Sequence, residues 1–365
     1  MKKKLILFIV GSLGGGGAEK FIITLLQGLN QEKYDVHLCI IKGQGANDKF
    51  IPKYVYVHRL YKTKVLRALF SVSRLIVAIK PDIVFSSMFH VNIMTILSSY
   101  IIYPNKMKLI VRESTIPSYR FGLSMTGLTY SVIMKVTYRS GLITNIITQC
   151  EAMRNDLVIN YNLPESKLLV INNPVNHDDL LKKSQDMLKY KIDTSVINMI
   201  SIGRLENVKG YDRMIEIFTR LERNKYHLYI CGEGSQRGTL LRMISDYGLN
   251  DEVSLTGFLS NPYSLLSEMQ LFLLSSRSDS FPNATLESLA LGVPVIAYDC
   301  PGGVNEILNS PDNGVLIDDG DISNYVKSIN EFRFNQYEPQ YLIKTSRARY
   351  GNNIIESYEY VFDSV

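Results

Sequence analysis

Two cations five positions apart, Arg204 and Lys209, and two carboxylates eight positions apart, Asp279 and Glu287, are the residues of this chain best suited to chemistry. The cations belong to Ser201-Ile202-Gly203-Arg204-Leu205 and Lys209-Gly210, where an apolar run stops and a helical pattern begins. Two positive charges at such a place neutralise a diphosphate through charge-assisted hydrogen bonds. The carboxylates lie in DSFPNATLESLALGVPVIA, with Asp279 in a loop and Glu287 on the helix after it. That helix starts near Pro282 and Asn283, so Phe281-Pro282-Asn283-Ala284 brings unpaired backbone N–H groups to the same edge. An ionised Glu287 accepts from two hydroxyls at once, which suits a ribose diol. A glycosidase also works with two carboxylates, one as acid and one as nucleophile. Hydrolysis, however, has no need of Arg204 and Lys209, two cations suited to a diphosphate.

Glycine turns repeat the theme. Gly11-Ser12-Leu13-Gly14-Gly15-Gly16-Gly17-Ala18-Glu19 joins an apolar run to a helical pattern, and its bare N–H groups could hold a phosphate. A strand-to-helix turn without any ligand would use the same glycines. No window reads G-x-G-x-x-G, and the next apolar run ends in Lys42-Gly43 where a ribose-binding acid would stand, which disfavours a dinucleotide. Pro301-Gly302-Gly303-Val304-Asn305-Glu306 makes another glycine turn at a helix start. Earlier, Ser86 to Asn92 and Val111-Arg112-Glu113-Ser114 each follow an apolar run. His90 and Glu113 could there orient a hydroxyl, although a histidine satisfied at a helix start explains His90 equally well. His37, His58, His177 and His227 have no companions in the sequence and receive no role.

The elements that must carry these residues are legible from apolar, β-rich runs. Leu5–Val10, Val36–Ile41, Asp82–Phe85, Lys108–Val111, Ile143–Thr148 and Leu168–Ile171 alternate with helix-length amphipathic segments. This is the pattern of a parallel sheet covered on both faces. After a charged stretch at Asp178–Thr194 it restarts with Val196–Ile202, Tyr226–Cys231, Val253–Leu255, Leu271–Leu274 and Val293–Ala297. The reading is α/β, with two Rossmann-like doubly wound domains, residues 1–175 and 176–339. Their cleft would lie at the carboxyl ends of the strands. The Tyr-rich segment from about 340 to 365 reads as one or two final helices.

With 365 residues, 46% hydrophobic and 21% charged, the chain is large enough for about two domains, and disorder, collagen and small disulfide scaffolds are excluded. No apolar run approaches the roughly 18 residues of a membrane span. Lys2-Lys3-Lys4 and Leu5 to Val10 imitate a signal peptide, but the apolar centre is too short, and a first buried strand explains it better. Cys39, Cys150, Cys231 and Cys300 form no close pair, which indicates neither zinc nor a redox motif and points to a reducing cytoplasm.

The net charge of +5 hides an asymmetry: residues 1–175 hold 22 Lys+Arg against 9 Asp+Glu, and residues 176–365 hold 18 against 26. The first half should therefore meet something anionic, a nucleic acid, a membrane surface or a phosphorylated substrate. Lys62–Lys80 reads as a basic amphipathic helix, with Val65, Leu69, Val72, Ile76 and Ile79 at helical spacing and Arg67 and Arg74 on another face. Leu66, Phe70 and Val77 widen its apolar face, and Tyr119–Arg139 adds an interfacial mixture of Tyr, Phe, Lys and Arg. Peripheral attachment to the anionic cytoplasmic face of a membrane is the favoured reading.

Taken together, the segments GGGGAEKF, NNPV, GRLENVKG, CGEGSQR, LTGF, DSFPNATLESLALGVPVIA and PGGVNEIL resemble, in order and over almost the whole chain, the retaining nucleotide-sugar-dependent glycosyltransferases of the GT-B fold, classification family 4. Asp279 stands where that family usually has Glu. The resemblance implies that Arg204 and Lys209 bind the donor diphosphate, Glu287 the ribose and Asp279 the transferred sugar. Gly203, Phe281, Pro282, Asn283 and Ala284 would lie on the donor side. It also implies that Gly16 and Gly17 approach the diphosphate or acceptor from the opposite domain, that the C-terminal helix crosses back onto the first domain, and that neither metal nor cofactor is needed. Arg112-Glu113-Ser114 resembles a segment of the subgroup that extends bacterial polysaccharide repeat units and lipid-linked oligosaccharides. The expected activity is retaining transfer of a hexosyl or N-acetylhexosaminyl group from a UDP-sugar to a polyprenyl-diphosphate-linked saccharide, for a capsule or other surface glycan, and not action on nucleic acid. A nucleotide-sugar epimerase or hydrolase of similar fold, and a weakly active sugar-nucleotide-binding protein, are the rivals.

Overall fold

Residues Leu5 to Val10 are apolar at every position, and the fold uses both sides of the strand they form. In the computed structural model, which describes residues 2–102, 107–122, 124–188 and 190–365, β1 spans Lys4–Val10. Its side chains alternate between two cores. Ile6, Phe8 and Val10 pack with helix Gly17–Gly28, while Leu7 and Ile9 pack with helices Leu69–Ile79 and Phe89–Ile101. The other strands of this sheet are β2 (Tyr34–Ile40), β3 (Tyr56–Arg59), β4 (Ile83–Ser87), β5 (Lys108–Arg112), β6 (Ile143–Thr148) and β7 (Leu168–Val170). Their order is β3-β2-β1-β4-β5-β6-β7, with every pairing parallel.

The second sheet contains β8 (Ile197–Ile202), β9 (Tyr226–Cys231), β10 (Val253–Gly257), β11 (Leu271–Leu274), β12 (Val295–Asp299) and β13 (Gly314–Asp318), in the order β10-β9-β8-β11-β12-β13. It too is parallel throughout. The chain thus forms two Rossmann-like α/β units, Met1–Pro174 with Asn352–Val365, and Val175–Gly351. In each, the strand order reverses once, between β1 and β4 in the first and between β8 and β11 in the second. Loops leaving the carboxyl ends of the two strands at such a reversal diverge and leave a crevice for a ligand.

The closing helix Asn352–Ser364 belongs to the first unit. It buries Ile355, Tyr358 and Phe362 in the core that holds Phe8 and Phe85, and the Phe362 ring lies 5.9 Å from that of Phe85. Burial of one such ring contributes about 3 kcal/mol. Lys4 ties the end of the helix down, donating to the carbonyls of Phe362 at 2.8 Å and Asp363 at 3.0 Å. The preceding helix, Pro339–Tyr350, does not join the first unit, so the expected change of unit near residue 340 falls instead at 351/352. Its place is set by Gly292, in a left-handed turn (φ 79°) so close to Pro339 that an added Cβ would come within 2.9 Å. Leu342 and Tyr350 are buried there.

Two strands escaped the sequence pattern, β3 and β13, which are the outer strands of their sheets. Tyr56 and Val57 of β3 are exposed, and His58 and Arg59 cut its apolar run short. Its presence pairs two histidines that looked solitary: His37 Nδ1 lies 2.9 Å from His58 Nε2 on the neighbouring strand. The four cysteines are free and buried, and burial pushes the thiols of Cys39, Cys231 and Cys300 up to about 12.

Candidate active site

In the second unit, the loops at the strand-order reversal carry the residues that the sequence marked. After β8 the chain runs through Gly203, Arg204 and a short turn at Asn207–Lys209 to Gly210, which opens helix Tyr211–Thr219. Gly210 adopts φ 66°, and an added Cβ would meet the carbonyl oxygen of Ser275 at 2.0 Å, so glycine is required. Gly203 lies under the Lys209 stem and the Tyr211 hydroxyl, which a Cβ would meet at 3.6 and 2.9 Å. The buried Tyr211 hydrogen-bonds Ser201, and burial keeps its phenol protonated. Arg204 is exposed and makes no ion pair among the described residues.

After β11 the loop carries Asp279, and helix Asn283–Ala290 begins behind Pro282. Lys209 Nζ forms an ion pair with an Asp279 carboxylate oxygen, joining the two loops across the reversal. Asp279 is held from the other side by the glycine turn after β12: its N–H donates to the Pro301 carbonyl at 3.1 Å and its carbonyl accepts from Gly303 N–H at 3.3 Å. Gly302 allows this bridge, because an added Cβ would come within 1.7 Å of the Asp279 carbonyl. Glu287, only 8% exposed, accepts a hydrogen bond from the Tyr263 hydroxyl at 3.1 Å. Sequence reasoning missed Tyr263, which sits on a four-residue helix with no motif around it.

The expected donor-side residues do not all reach the surface. Phe281 is buried, its ring 6.0 Å from that of Tyr350, and Pro282 is buried beside it. Both anchor the loop, while Asn283 and Ala284 at the helix start are partly exposed. No group of three or more His, Cys, Asp or Glu side chains able to hold a metal ion occurs among the described residues.

In the first unit, the turn Gly11–Gly16 leaves β1 at the corresponding reversal and opens helix Gly17–Gly28. Asn47 braces it, donating from its side chain to the Gly14 carbonyl and from its backbone to the Leu13 carbonyl at 3.0 Å. After β4, Met88 takes an uncommon φ of 78° and delivers the chain into helix Phe89–Ile101, with the exposed His90 in its first turn. Burial of part of the ring, with Arg120 and Lys42 nearby, holds the His90 pKa below its ordinary value. The imidazole is therefore neutral near pH 7, with one nitrogen to donate and one to accept.

Glu113 departs from expectation. It is 1% exposed and cannot orient a hydroxyl of a ligand at the surface. Its carboxyl accepts from Asn92 Nδ2 at 2.9 Å and from the Tyr138 hydroxyl, within a network that also holds Ser86 on Asn92 at 2.8 Å. Its neighbour Arg112 is equally buried, stacked on Phe21 and donating to Tyr358, Ser87 and Asn173. These groups fasten the strand ends to the helix that bears His90.

Burial pushes the Glu113 carboxyl above its ordinary value, outweighing the hydrogen bonds from Tyr138 and Asn92. Its neutral form is thus favoured in the folded state, and that contribution is present at low pH and lost as pH rises through the raised value. Glu113→Gln should therefore keep turnover within a few-fold and remove this pH dependence from the melting temperature. Glu113→Ala should cost about 1–3 kcal/mol by stranding Asn92 and Tyr138. Lost turnover in Glu113→Gln at unchanged melting temperature would return this residue to the chemistry.

Comparison with known proteins agrees with both halves. A Glycosyltransferase Family 4 model matches residues 15–179, and a Glycosyl transferases group 1 model matches residues 176–349. The chain is 27% identical over 328 residues, covering 87% of it and 86% of the relative, to the N-acetylgalactosamine-N,N'-diacetylbacillosaminyl-diphospho-undecaprenol 4-alpha-N-acetylgalactosaminyltransferase of Campylobacter jejuni. It is 23% identical over 320 residues, 86% of each chain, to the amylovoran biosynthesis glycosyltransferase AmsD of Erwinia amylovora. Among solved structures, Anabaena Alr3699/HepE in complex with UDP and glucose superposes with a TM-score of 0.79 at 18% identity over 99% of both chains. Sucrose-phosphate synthase from Thermosynechococcus elongatus gives 0.81 at 13% identity over the full length of both. The protein belongs to the GT-B glycosyltransferases, with a family 4 first half and a group 1 second half.

Proposed function

We propose that this glycosyltransferase moves a sugar from UDP to a saccharide carried on a polyprenyl diphosphate, with retention of anomeric configuration, at a membrane surface during synthesis of a bacterial surface glycan. The observation that carries the donor half is the meeting, at the β8/β11 reversal, of the loop bearing Arg204 and Lys209 with the start of helix Asn283–Ala290 and the nearly buried Glu287. Arg204 and Lys209 take the diphosphate, the Asn283 and Ala284 N–H groups add to them, and Glu287, its rotamer fixed by Tyr263, takes the ribose hydroxyls. As the bond from the anomeric carbon to the phosphate oxygen breaks, the negative charge grows beside fixed cations. The acceptor hydroxyl bonds to the same face of that carbon and gives its proton to the departing phosphate oxygen. Asp279, shared with Lys209, faces the sugar. In the first unit Gly16, Gly17 and His90 handle the acceptor.

The lipid-linked acceptor is suggested by the Campylobacter relative, whose name specifies a diphospho-undecaprenol substrate, and the choice of UDP by the HepE complexes. A thermal-shift screen across UDP-, GDP- and ADP-sugars tests the donor. Stabilisation by UDP-sugars is expected, and stabilisation by another nucleotide alone would overturn that choice. The linkage configuration in the product, read by the anomeric proton coupling, tests retention, and an inverted product would contradict it.

Three neighbouring helices of the first unit support the membrane reading. On the segment 65–79, Val72 and Ile76 are core, as their spacing indicates, while Leu66, Phe70 and Val77 point outward beside exposed Arg67 and Arg74. Helix Phe89–Ile101 packs against it and exposes Tyr100 and Ile101. Beyond that, helix Met125–Tyr138 exposes Met125 (81%), Leu128, Val132 and Val136 (69%) at helical spacing, with Lys135 exposed among them. From Lys62 to Arg139 the sequence contains only two acids, Asp82 and the buried Glu113. Apolar side chains interleaved with cations fit an anionic bilayer surface. No described helix is long and apolar enough to cross a membrane. Binding to anionic vesicles should weaken about 30-fold when Arg67 and Arg74 are both neutralised, and should weaken with added salt. Absence of vesicle binding at low salt would remove the membrane from the account.

A further inference from the structure

Lys209 sits on a turn whose backbone is held by the loop after β11, one carbonyl after another. Ser275 Oγ donates to the Gly210 carbonyl at 2.9 Å and to the Lys209 carbonyl at 3.2 Å. The Arg277 backbone N–H donates to the Val208 carbonyl at 2.8 Å, and its guanidinium donates to the Asn207 carbonyl at 2.7 Å. The same guanidinium forks onto Asp212, Nη1 to Oδ1 at 2.8 Å and Nη2 to Oδ2 at 2.5 Å. Asp212 lies in the first turn of the helix that Gly210 opens, so the fork spans the turn from Asn207 to that helix. The Arg277 bond also holds the Asp212 carboxyl below its ordinary pKa.

Both terminal nitrogens of the Arg277 guanidinium donate to Asp212, and one of them also to Asn207, so its position makes it a brace. We infer that Arg277 is a positioning residue for Lys209: the Arg277–Asp212 fork holds the Asn207–Gly210 turn so that the Lys209 ammonium stands where the leaving phosphate gains charge. This deepens the donor-site reading and rests on it. A planar fork with three acceptors fixes a backbone in a way that a single ammonium cannot, and a misplacement of about 1 Å in a catalytic group costs about 100-fold.

The test is a double-mutant cycle between Arg277→Gln and Lys209→Ala, read as kcat and KM for the donor, with UDP affinity and melting temperature measured alongside. Arg277→Gln should lower kcat about 30-fold in the wild-type background, with UDP affinity nearly unchanged. In the Lys209→Ala background it should lower kcat by less than about 2-fold, since the cation it positions is gone. Asp212→Asn opens the fork from the other end and should give the same non-additive pattern should Arg277→Gln fold poorly. Additive losses would overturn the inference and make Arg277 an independent contributor, as would a loss that simply follows the melting temperature. If Lys209→Ala itself costs nothing, the assignment of Lys209 to the diphosphate fails, and the brace fails with it. If Lys209→Ala is impaired and both fork variants are normal, only the brace fails.

Discussion

Lys209→Ala lowers kcat by about 100- to 1,000-fold and leaves the affinity for the bare nucleoside within a few-fold of wild type: this is the largest effect expected of any single change. The size follows from removing one fixed charge from the point where charge develops. The direction of the split matters as much as the size. A cation that stabilises the leaving diphosphate acts on the transition state, so its loss lowers kcat and kcat/KM together, whereas loss of a cation that binds ground state and transition state equally would raise KM alone. Arg204→Ala should behave likewise, with the smaller loss of the two, because Arg204 is exposed and solvent screens it more than the partly buried Lys209. Lys209 also pairs with Asp279, so the diphosphate must share this cation with a carboxylate already in place. Equal losses in turnover and in nucleoside binding would contradict leaving-group stabilisation by these two residues.

Glu287→Gln is the second large effect, and it should appear in binding. The substitution keeps the volume and still offers an oxygen to the Tyr263 hydroxyl, 3.1 Å away, so the fold should tolerate it. What it removes is the charge that strengthens hydrogen bonds from the ribose hydroxyls, worth about 2 kcal/mol, or about 30-fold in UDP affinity. Calorimetry with UDP reads this directly. Unchanged affinity would remove Glu287 from the ribose and leave it a structural partner of Tyr263.

Much of this site is legible in the sequence, because parallel strands buried on both faces appear as unbroken apolar runs and the chemistry sits where they end. Arg204, Lys209, Asp279 and Glu287 could be placed on loops and a helix start by that reasoning alone. The Lys209–Asp279 pair could not, because its members are 70 positions apart and meet only when β11 is laid beside β8. Glu113 misled for a related reason. It follows a strand, as a ligand-binding residue would, yet Asn92 and Tyr138 come from two distant helices to enclose it. Phe281 looked like part of a donor loop until Tyr350, from a helix read as part of the other unit, was found against it. The missed strands β3 and β13 are short outer strands, β3 ending in His58 and Arg59 and β13 bounded by Gly314 and Asp318, so their apolar runs are short beside those of the interior strands. In the first three cases the missing information is tertiary: which element covers a residue, rather than which element the residue is in.

The most direct test of the central claim is release of nucleoside diphosphate from UDP-sugars, measured with and without a polyprenyl-diphosphate-linked saccharide fraction. Transfer to a lipid-linked acceptor predicts release that depends on both the UDP-sugar and the acceptor, with the sugar recovered on the lipid. Release at the same rate without acceptor would contradict it and make the protein a hydrolase of its donor.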